Sequence, residues 1–505
     1  MNPVSESQAA ALDHTEHDSH QRLPRVLGLF DATMIVVGSI IGSGIFLKIS
    51  AVDTALEPYG FFAIMGTWIF VGIITLFGAL ALAELGAMFP HAGGPYLYIR
   101  EAYGRLPAFL WGWTEFWVVR TGSVGALACA TVLYFNELVP MSPTGQTVLA
   151  ITIIVGLSVV NLFSTRAGAG VQSVATVAKV TFLIALIVLP FIFRAVDSQN
   201  LRPLWNMPNG SGSVANFLKA IGIAMVAILW AYDGWINLGP VAEDIRDPQR
   251  NVPRAMAIGL GVVIIAYLGA NLSYHFVLPV HHLANSSTVA ADVFREMFGP
   301  VGAKIAAVGV MISTFGATNS NMITGPRIYL AVARDGLVPS WFHRIHHRYL
   351  TPANTIVVQA TWTVFLVLLF SFWNPGRPAN IEPAELSTSV VIAGNLSSSD
   401  AHSLRMKNSF DHLTDSVVCA GLIFYSLAVA AVYVLRWTRP DLPRPYRTWG
   451  YPFTPALLLI AYLGVFSSLL IEQWAETIGV LILIGAGIVY FFIASAFRRR
   501  WSAQS

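Results

Sequence analysis

Two glycine interruptions inside long apolar segments constrain this chain more than any other feature. The first, Gly42-Ser43-Gly44, lies within Ile35 to Leu47, and the second, Asp233-Gly234, lies within Ile221 to Leu238. Without the interruptions, each segment reads as a membrane-spanning helix. In lipid, a broken helix exposes unpaired N–H and C=O groups. Each costs several kcal/mol unless protein, water or a ligand satisfies it. A break in each half of the chain therefore points to a binding site near mid-membrane.

Composition agrees with a lipid setting. The chain is 55% hydrophobic and 11% charged, whereas soluble chains carry about 25% charged residues. Twelve apolar segments are read near 27–49, 60–89, 106–136, 147–163, 170–194, 214–244, 254–278, 302–333, 353–372, 412–436, 454–472 and 476–497. An even number puts both termini on one side. With the termini inside, the inner loops collect most of the arginines, including Arg246, Arg250 and Arg254 in one loop and Arg439, Arg444 and Arg447 in another. The positive-inside rule then predicts cytoplasmic termini in the plasma (inner) membrane. A net charge of +3 is too small and too dispersed to suggest nucleic acid. Cys129 and Cys419 both lie in apolar segments and read as reduced packing residues.

Between the segments, His91 to Arg105 starts with a glycine turn and suits a short interfacial helix. Pro279 to Pro300 is expected as an outer loop over the entrance, and 371–408 as a flexible outer insertion carrying a sequon at Asn395. Residues 1–25 read as a disordered cytoplasmic tail without the apolar core of a signal peptide. His14, His17 and His20 are expected to be solvated there, not bound to metal.

The breaks are 192 residues apart, from Gly42 to Gly234, or about five spans. Two five-helix repeats, each opened by a broken helix, give that spacing. Because five is odd, the second repeat enters the membrane with opposite topology. The chemistry of a break is directional. The half-helix after it offers free N–H groups and a positive dipole end, and the half-helix before it offers carbonyls. A zwitterion matches both. Its carboxylate fits the N–H groups near Ser43, Gly44 and Ile45, and its ammonium fits carbonyls of Ile40 and of Trp230 to Asp233. Glycine allows this close approach. Gly38-x-x-x-Gly42 is also a small-residue packing pattern, but two breaks in matching positions favour a site.

IVVGSIIGSGIF at 35–46 and ILWAYDGWINLGPVAEDIRDPQRNVPRA at 228–255 resemble the first and sixth helices of transporters in the amino acid–polyamine–organocation superfamily. GGPYLYIREAYG at 93–104, STFGATNSNMITGPRIYLAVARDGLVP at 313–339 and RPDLPRPYRTWGYPFTP at 439–455 extend the likeness, which is strongest to the L-type amino acid transporter family. The resemblance implies an all-α, LeuT-like fold: a ten-helix core over 26–436, built from inverted repeats at about 26–195 and 214–436, with peripheral helices 11 and 12 in 437–505. It implies transport of amino acids by alternating access, often as exchange. The candidate binding residues are then Ile40, Ile41, Gly42, Ser43 and Gly44, with Trp230, Ala231, Tyr232, Asp233 and Gly234. Trp230 would be the aromatic gate. Lys179 would sit between the first and eighth helices, where sodium binds in coupled relatives of the fold, with its amine on a carbonyl near Ile41 and on Ser313. That arrangement implies sodium-independent transport.

Other charges within spans have two readings. Lys179 is functional or snorkels to the interface. Asp233 pins the unwound segment or meets a cationic side chain. Arg120 and Glu115, five apart in the third span, do not stack on an α-helix and need not pair with each other; they line a polar interior or pair across helices. Glu84, Glu243, Asp244, Arg246 and Arg254 read as inner-gate ion pairs or as solvated loop charges. Thr318, Asn319 and Asn321 face the pathway or bond between helices. No Walker A, HExxH, GxSxG or paired CxxC pattern is present, so no enzyme or cofactor is expected and energy must come from gradients. Animal L-type transporters join a heavy chain through a cysteine between spans three and four. Glu137 to Thr147 has none, so no disulfide-linked heavy chain is expected. The expected function is sodium-independent movement of neutral L-amino acids. The alternatives are a cationic amino acid or polyamine permease and a non-transporting amino acid sensor.

Overall fold

The computed structural model describes residues 25–502 apart from 91–92, 164, 209–212, 335, 337, 344–345, 347–350 and 373–397. The tail histidines, the Asn395 sequon and most of the 371–408 insertion fall outside the described residues. Twelve helices are long and apolar enough to cross a membrane, and they match the twelve expected segments in order. Among the described residues the β structure is a single parallel bridge, Leu27 to Ile245. The architecture is all-α and LeuT-like, with the first and sixth spans broken.

The first span is α1 (Leu29–Ile40) and α2 (Gly44–Leu47), followed by α3 (Ile49–Leu56). Helix α1 stops because Ile41 turns extended, with ψ of 100°. The second span, α4 (Phe61–Met88), leads into α5 (Pro95–Tyr103). Helix α5 is the short helix expected at 91–105. Gly93 and Gly94 at positive φ launch it, Pro95 opens it, and Gly104 at φ +88° ends it. The third span joins α6 (Arg105–Thr114), a π-helical stretch (Glu115–Arg120) and α7 (Thr121–Leu138). Next come α8 (Pro143–Phe163) and α9 (Thr165–Ile192).

The sixth span begins as α10 (Ser213–Tyr232), turns at Gly234, and continues as a 3₁₀ run, Trp235–Asp244. Pro240 within that run supplies no backbone N–H. The rest is α11 (Pro248–Val277), α12 (Val280–Asn285), α13 (Val289–Arg334), α14 (Ala353–Phe372), α15 (Ser398–Thr438), α16 (Phe453–Glu472) and α17 (Trp474–Ser502). Two connections differ from expectation. The Pro279–Pro300 stretch is largely helical: it forms α12 and the start of α13, which kinks at Gly299 (φ 64°). Residues 398–408, expected as flexible insertion, are the first turns of α15.

Burial orders the layers. The third span's most apolar stretch is 94% buried and forms the centre, while the last span's is 17% buried and lies at the rim. Exposed Ile460, Leu463, Ile482 and Phe492 give α16 and α17 an apolar outer face suited to lipid.

Candidate functional site

The two breaks interlock through their glycines. A Cβ on Gly44 would lie 2.3 Å from the Cα of Ala231, and one on Gly234 would lie 2.4 Å from the carbonyl oxygen of Ser39. Gly234 also holds φ +107°, which a side chain disfavours. Each break thus carries a glycine so that the other's backbone can pass against it. The crowding expected at Gly44 therefore comes first from Ala231. Gly42 differs, because a Cβ there would meet its nearest neighbour only at 3.8 Å.

Side chains then tie the breaks together. The Tyr267 hydroxyl on α11 lies 3.1 Å from the carbonyl of Ile40 and 3.0 Å from that of Ala231, so one group spans both interrupted ends. The Trp230 indole N–H donates to the Ser43 hydroxyl at 3.1 Å, and its ring meets Phe410 edge-on at 6.2 Å. Beyond the break, the Tyr274 and Tyr134 hydroxyls donate to the carbonyls of Ile45 and Phe46. Tyrosines in apolar spans are the sequence signal for these partners, since a buried hydroxyl needs an acceptor.

A cavity opens where the breaks face the third and eighth spans. Ser39, Ile40, Gly42, Ser43, Gly44, Trp230, Asp233 and Gly234 line it, together with Val119, Arg120, Ser123, Leu127, Asn237, Ala317 and Asn321. Ile41, Ala231 and Tyr232 do not. Ala231 packs on Gly44, and Tyr232 lies in a neighbouring small cavity with Thr75, Tyr425 and Tyr462. The central cavity measures about 50 Å³, where one water needs roughly 10–15 Å³. It has room for a few waters, so a larger occupant requires its walls to move.

Arg120 and Glu115 correct a sequence expectation. They do pair: Arg120 Nε donates to Glu115 Oε1 at 2.7 Å, and Nη2 lies 2.6 Å from the same oxygen. The cause is the π-helical stretch Glu115–Arg120. Its wider turn brings positions i and i+5 onto one face, which an α-helix does not. Arg120 also donates from Nη1 to Asn321 Oδ1 at 3.0 Å and from Nη2 to Asn237 Oδ1 at 2.9 Å. It therefore joins the third, sixth and eighth spans at the cavity wall. Sequence reasoning singled out Arg120 and Asn321 but missed Asn237, which stands three residues after the Gly234 turn.

Lys179 lies on the other side of the first span. It is 1% exposed, so it does not snorkel. Its amine donates to the carbonyls of Gly38 at 2.5 Å and Ile41 at 2.7 Å. Ser313 serves the next carbonyl, Gly42, at 3.3 Å, and is not recorded as a partner of the lysine. The Asp233 carboxylate accepts the Tyr425 hydroxyl at 2.8 Å, which fixes the unwound segment to α15. Asn319 bonds between helices, accepting from Asn161 at 2.9 Å.

Ion pairs flank the centre on both faces. On the face bearing the α1 start, Glu84 is fully buried and takes Arg436 through two bonds of 2.9 and 2.7 Å, plus the Thr448 N–H and hydroxyl. Its partners thus come from α15 and from the loop after it, where Arg444 also lies 3.7 Å away, instead of from the group at 243–254. There, the carbonyl of Asp244 accepts the N–H groups of Val26 and Leu27, and Arg246 N donates to Leu27 O. On the opposite face, buried Lys48 reaches Asp411 at 2.6 Å and Asp415 at 3.4 Å. Among the described residues no cluster of three or more metal-type ligands occurs.

The family profile for amino acid permeases matches residues 27–497. The b(0,+)-type amino acid transporter 1 of Mus musculus is 30% identical over 95% of this chain and 90% of its own length. The serine/threonine exchanger SteT of Bacillus subtilis (strain 168) is also 30% identical, over 95% of this chain and 98% of its own. The large neutral amino acids transporter small subunit 2 of Mus musculus is 32% identical, over 93% and 81%. These near-equal matches do not single out the L-type family within the superfamily. With its broken first and sixth spans, this chain belongs to the amino acid permease family of the amino acid–polyamine–organocation superfamily and is a secondary transporter that moves amino acids across the membrane.

Proposed function

We propose that the chain exchanges neutral L-amino acids without sodium. The observation that carries this reading is the cavity between the two breaks, lined by residues of both. The substrate carboxylate sits at the start of α2, on Ser43 and Gly44, where the first N–H groups of a helix have no partner within it. The ammonium takes the carbonyls of Ile40, Trp230 and Asp233. The Ile40 carbonyl already accepts from Tyr267, but a carbonyl has a second lone pair. Trp230, bonded to Ser43 and edge-on to Phe410, serves as the gate.

Sodium independence is supported by Lys179. Its amine occupies two carbonyls of the first span, as a bound cation would. Exchange is supported by the name of one relative, a serine/threonine exchanger. The cationic or polyamine reading needs a free acidic group, and Asp233 instead holds Tyr425. The ten-helix core over 26–436, the peripheral pair over 437–505, single-subunit operation and cytoplasmic termini in the plasma membrane belong to the same proposal.

Uptake of labelled neutral amino acids into proteoliposomes in sodium-free buffer tests it. Stimulation by internal amino acid is the expected result. Saturable binding with no uptake would replace the transporter with a sensor. Uptake that appears only when sodium is added would remove the role given to Lys179.

A further inference from the structure

The backbone groups at the two breaks meet only the amine and carboxylate that every amino acid shares. They cannot tell one side chain from another, so discrimination falls to the side chains lining the rest of the cavity. The most strongly polar of these is Arg120, which is 8% exposed. We propose that Arg120, held by Asn237 and Asn321, forms the side-chain end of the cavity and selects neutral amino acids that carry a hydroxyl or an amide. This rests on reading the cavity as the amino acid site.

Arg120 is fixed before any ligand arrives. Glu115 engages Nε and Nη2, Asn237 engages Nη2, and Asn321 engages Nη1. A guanidinium has five N–H donors in a rigid fork. These contacts use four and leave one on Nη1. Ser123 adds a hydroxyl to the same lining. The subsite therefore offers a preset donor to an oxygen acceptor.

Charge narrows the class. Glu115 neutralises Arg120, and Asp233, another lining residue, has its carboxylate bonded to Tyr425. An anionic side chain would have to compete with Glu115 for the guanidinium, and a cationic one would face the guanidinium itself. A neutral hydroxyl or amide meets neither obstacle. An apolar side chain of the same shape would leave the buried N–H without a partner. That mismatch is what lets a polar site reject an isostere.

Threonine and valine share a shape and differ by hydroxyl against methyl, so they report on the subsite directly. The full-length protein in proteoliposomes is given labelled threonine or valine, with asparagine, leucine, glutamate and arginine as competitors. The expected result is a kcat/KM for threonine about ten- to a hundredfold above valine, the range set by a hydrogen bond to a charged donor. Asparagine should compete better than leucine, glutamate or arginine. In the paired variant Arg120→Met with Glu115→Gln, which removes both members of the ion pair together, the threonine-to-valine ratio should fall toward one. Asn237→Leu, which keeps the ion pair, should lower the same ratio and serves if the paired variant does not fold. Equal use of threonine and valine by the wild type would overturn the subsite alone, as would a ratio unchanged in both variants. Stronger competition by glutamate or arginine would overturn the neutral class. A wild type that accumulates none of the six, each labelled in turn, would overturn the transport reading beneath it.

Discussion

Gly44 and Gly42 stand two residues apart and face opposite fates on substitution. Gly44→Ala drives a methyl into the Ala231 backbone, which has no flexible end to yield. It should abolish uptake and lower stability by about 2 kcal/mol or more. Gly42→Ala has space and should stay within about 1 kcal/mol of wild type. Thermal unfolding in detergent, run beside uptake, checks both, and equal melting of the two variants would refute the interlock. Lys179→Ala leaves the carbonyls of Gly38 and Ile41 without their amine. Uptake should drop at least roughly tenfold, and adding sodium should not restore it. Unchanged rates would return Lys179 to packing. At this scale the sequence located the important glycines but not the close helix contact they also serve. A GSG in an apolar run reveals a break, whereas the backbone it must admit belongs to a helix about 190 residues away.

Elements were legible where hydrophobicity decides them and obscure where local geometry does. The twelve spans, the short helix α5 and both breaks follow from apolar runs and glycine punctuation. The π-helical stretch does not, because no residue between Glu115 and Arg120 marks a widened turn. That one missed element hid the Glu115–Arg120 pair and the wall it forms with Asn237 and Asn321. Tyr267 was hidden for a related reason, since its two acceptors come from different spans. Tyr267→Phe removes the hydroxyl whose single proton is shared between buried carbonyls of α1 and α10. It should cost about 1–3 kcal/mol of stability, read by unfolding. A larger loss is expected than for Tyr274→Phe, whose hydroxyl holds one carbonyl.

Across the molecule, the centre lies between two layers of ion pairs, Glu84–Arg436 on one face and Lys48–Asp411 on the other. Glu84 is fully buried but keeps the Thr448 donors and Arg444 at 3.7 Å, so Arg436→Ala removes one charged pair and should destabilise by about 1.5–3 kcal/mol. Adding Glu84→Gln to that variant should recover part of the loss, and failure to recover any would show that Arg436 acts through Tyr451, whose ring it covers at 3.8 Å. The inverted arrangement of two broken spans was legible from their separation. The choice of partners across the faces was not, because it depends on which helices the fold sets side by side. The Tyr267 bridge also has a thermodynamic consequence for a carrier. On the proposed binding mode, an ammonium arriving at Ile40 finds a carbonyl that already shares the single Tyr267 proton with Ala231. It gains only the difference between a charged donor and a hydroxyl, a fraction of the full bond. On that binding mode the resting site is buffered against tight capture, which favours release on the far side.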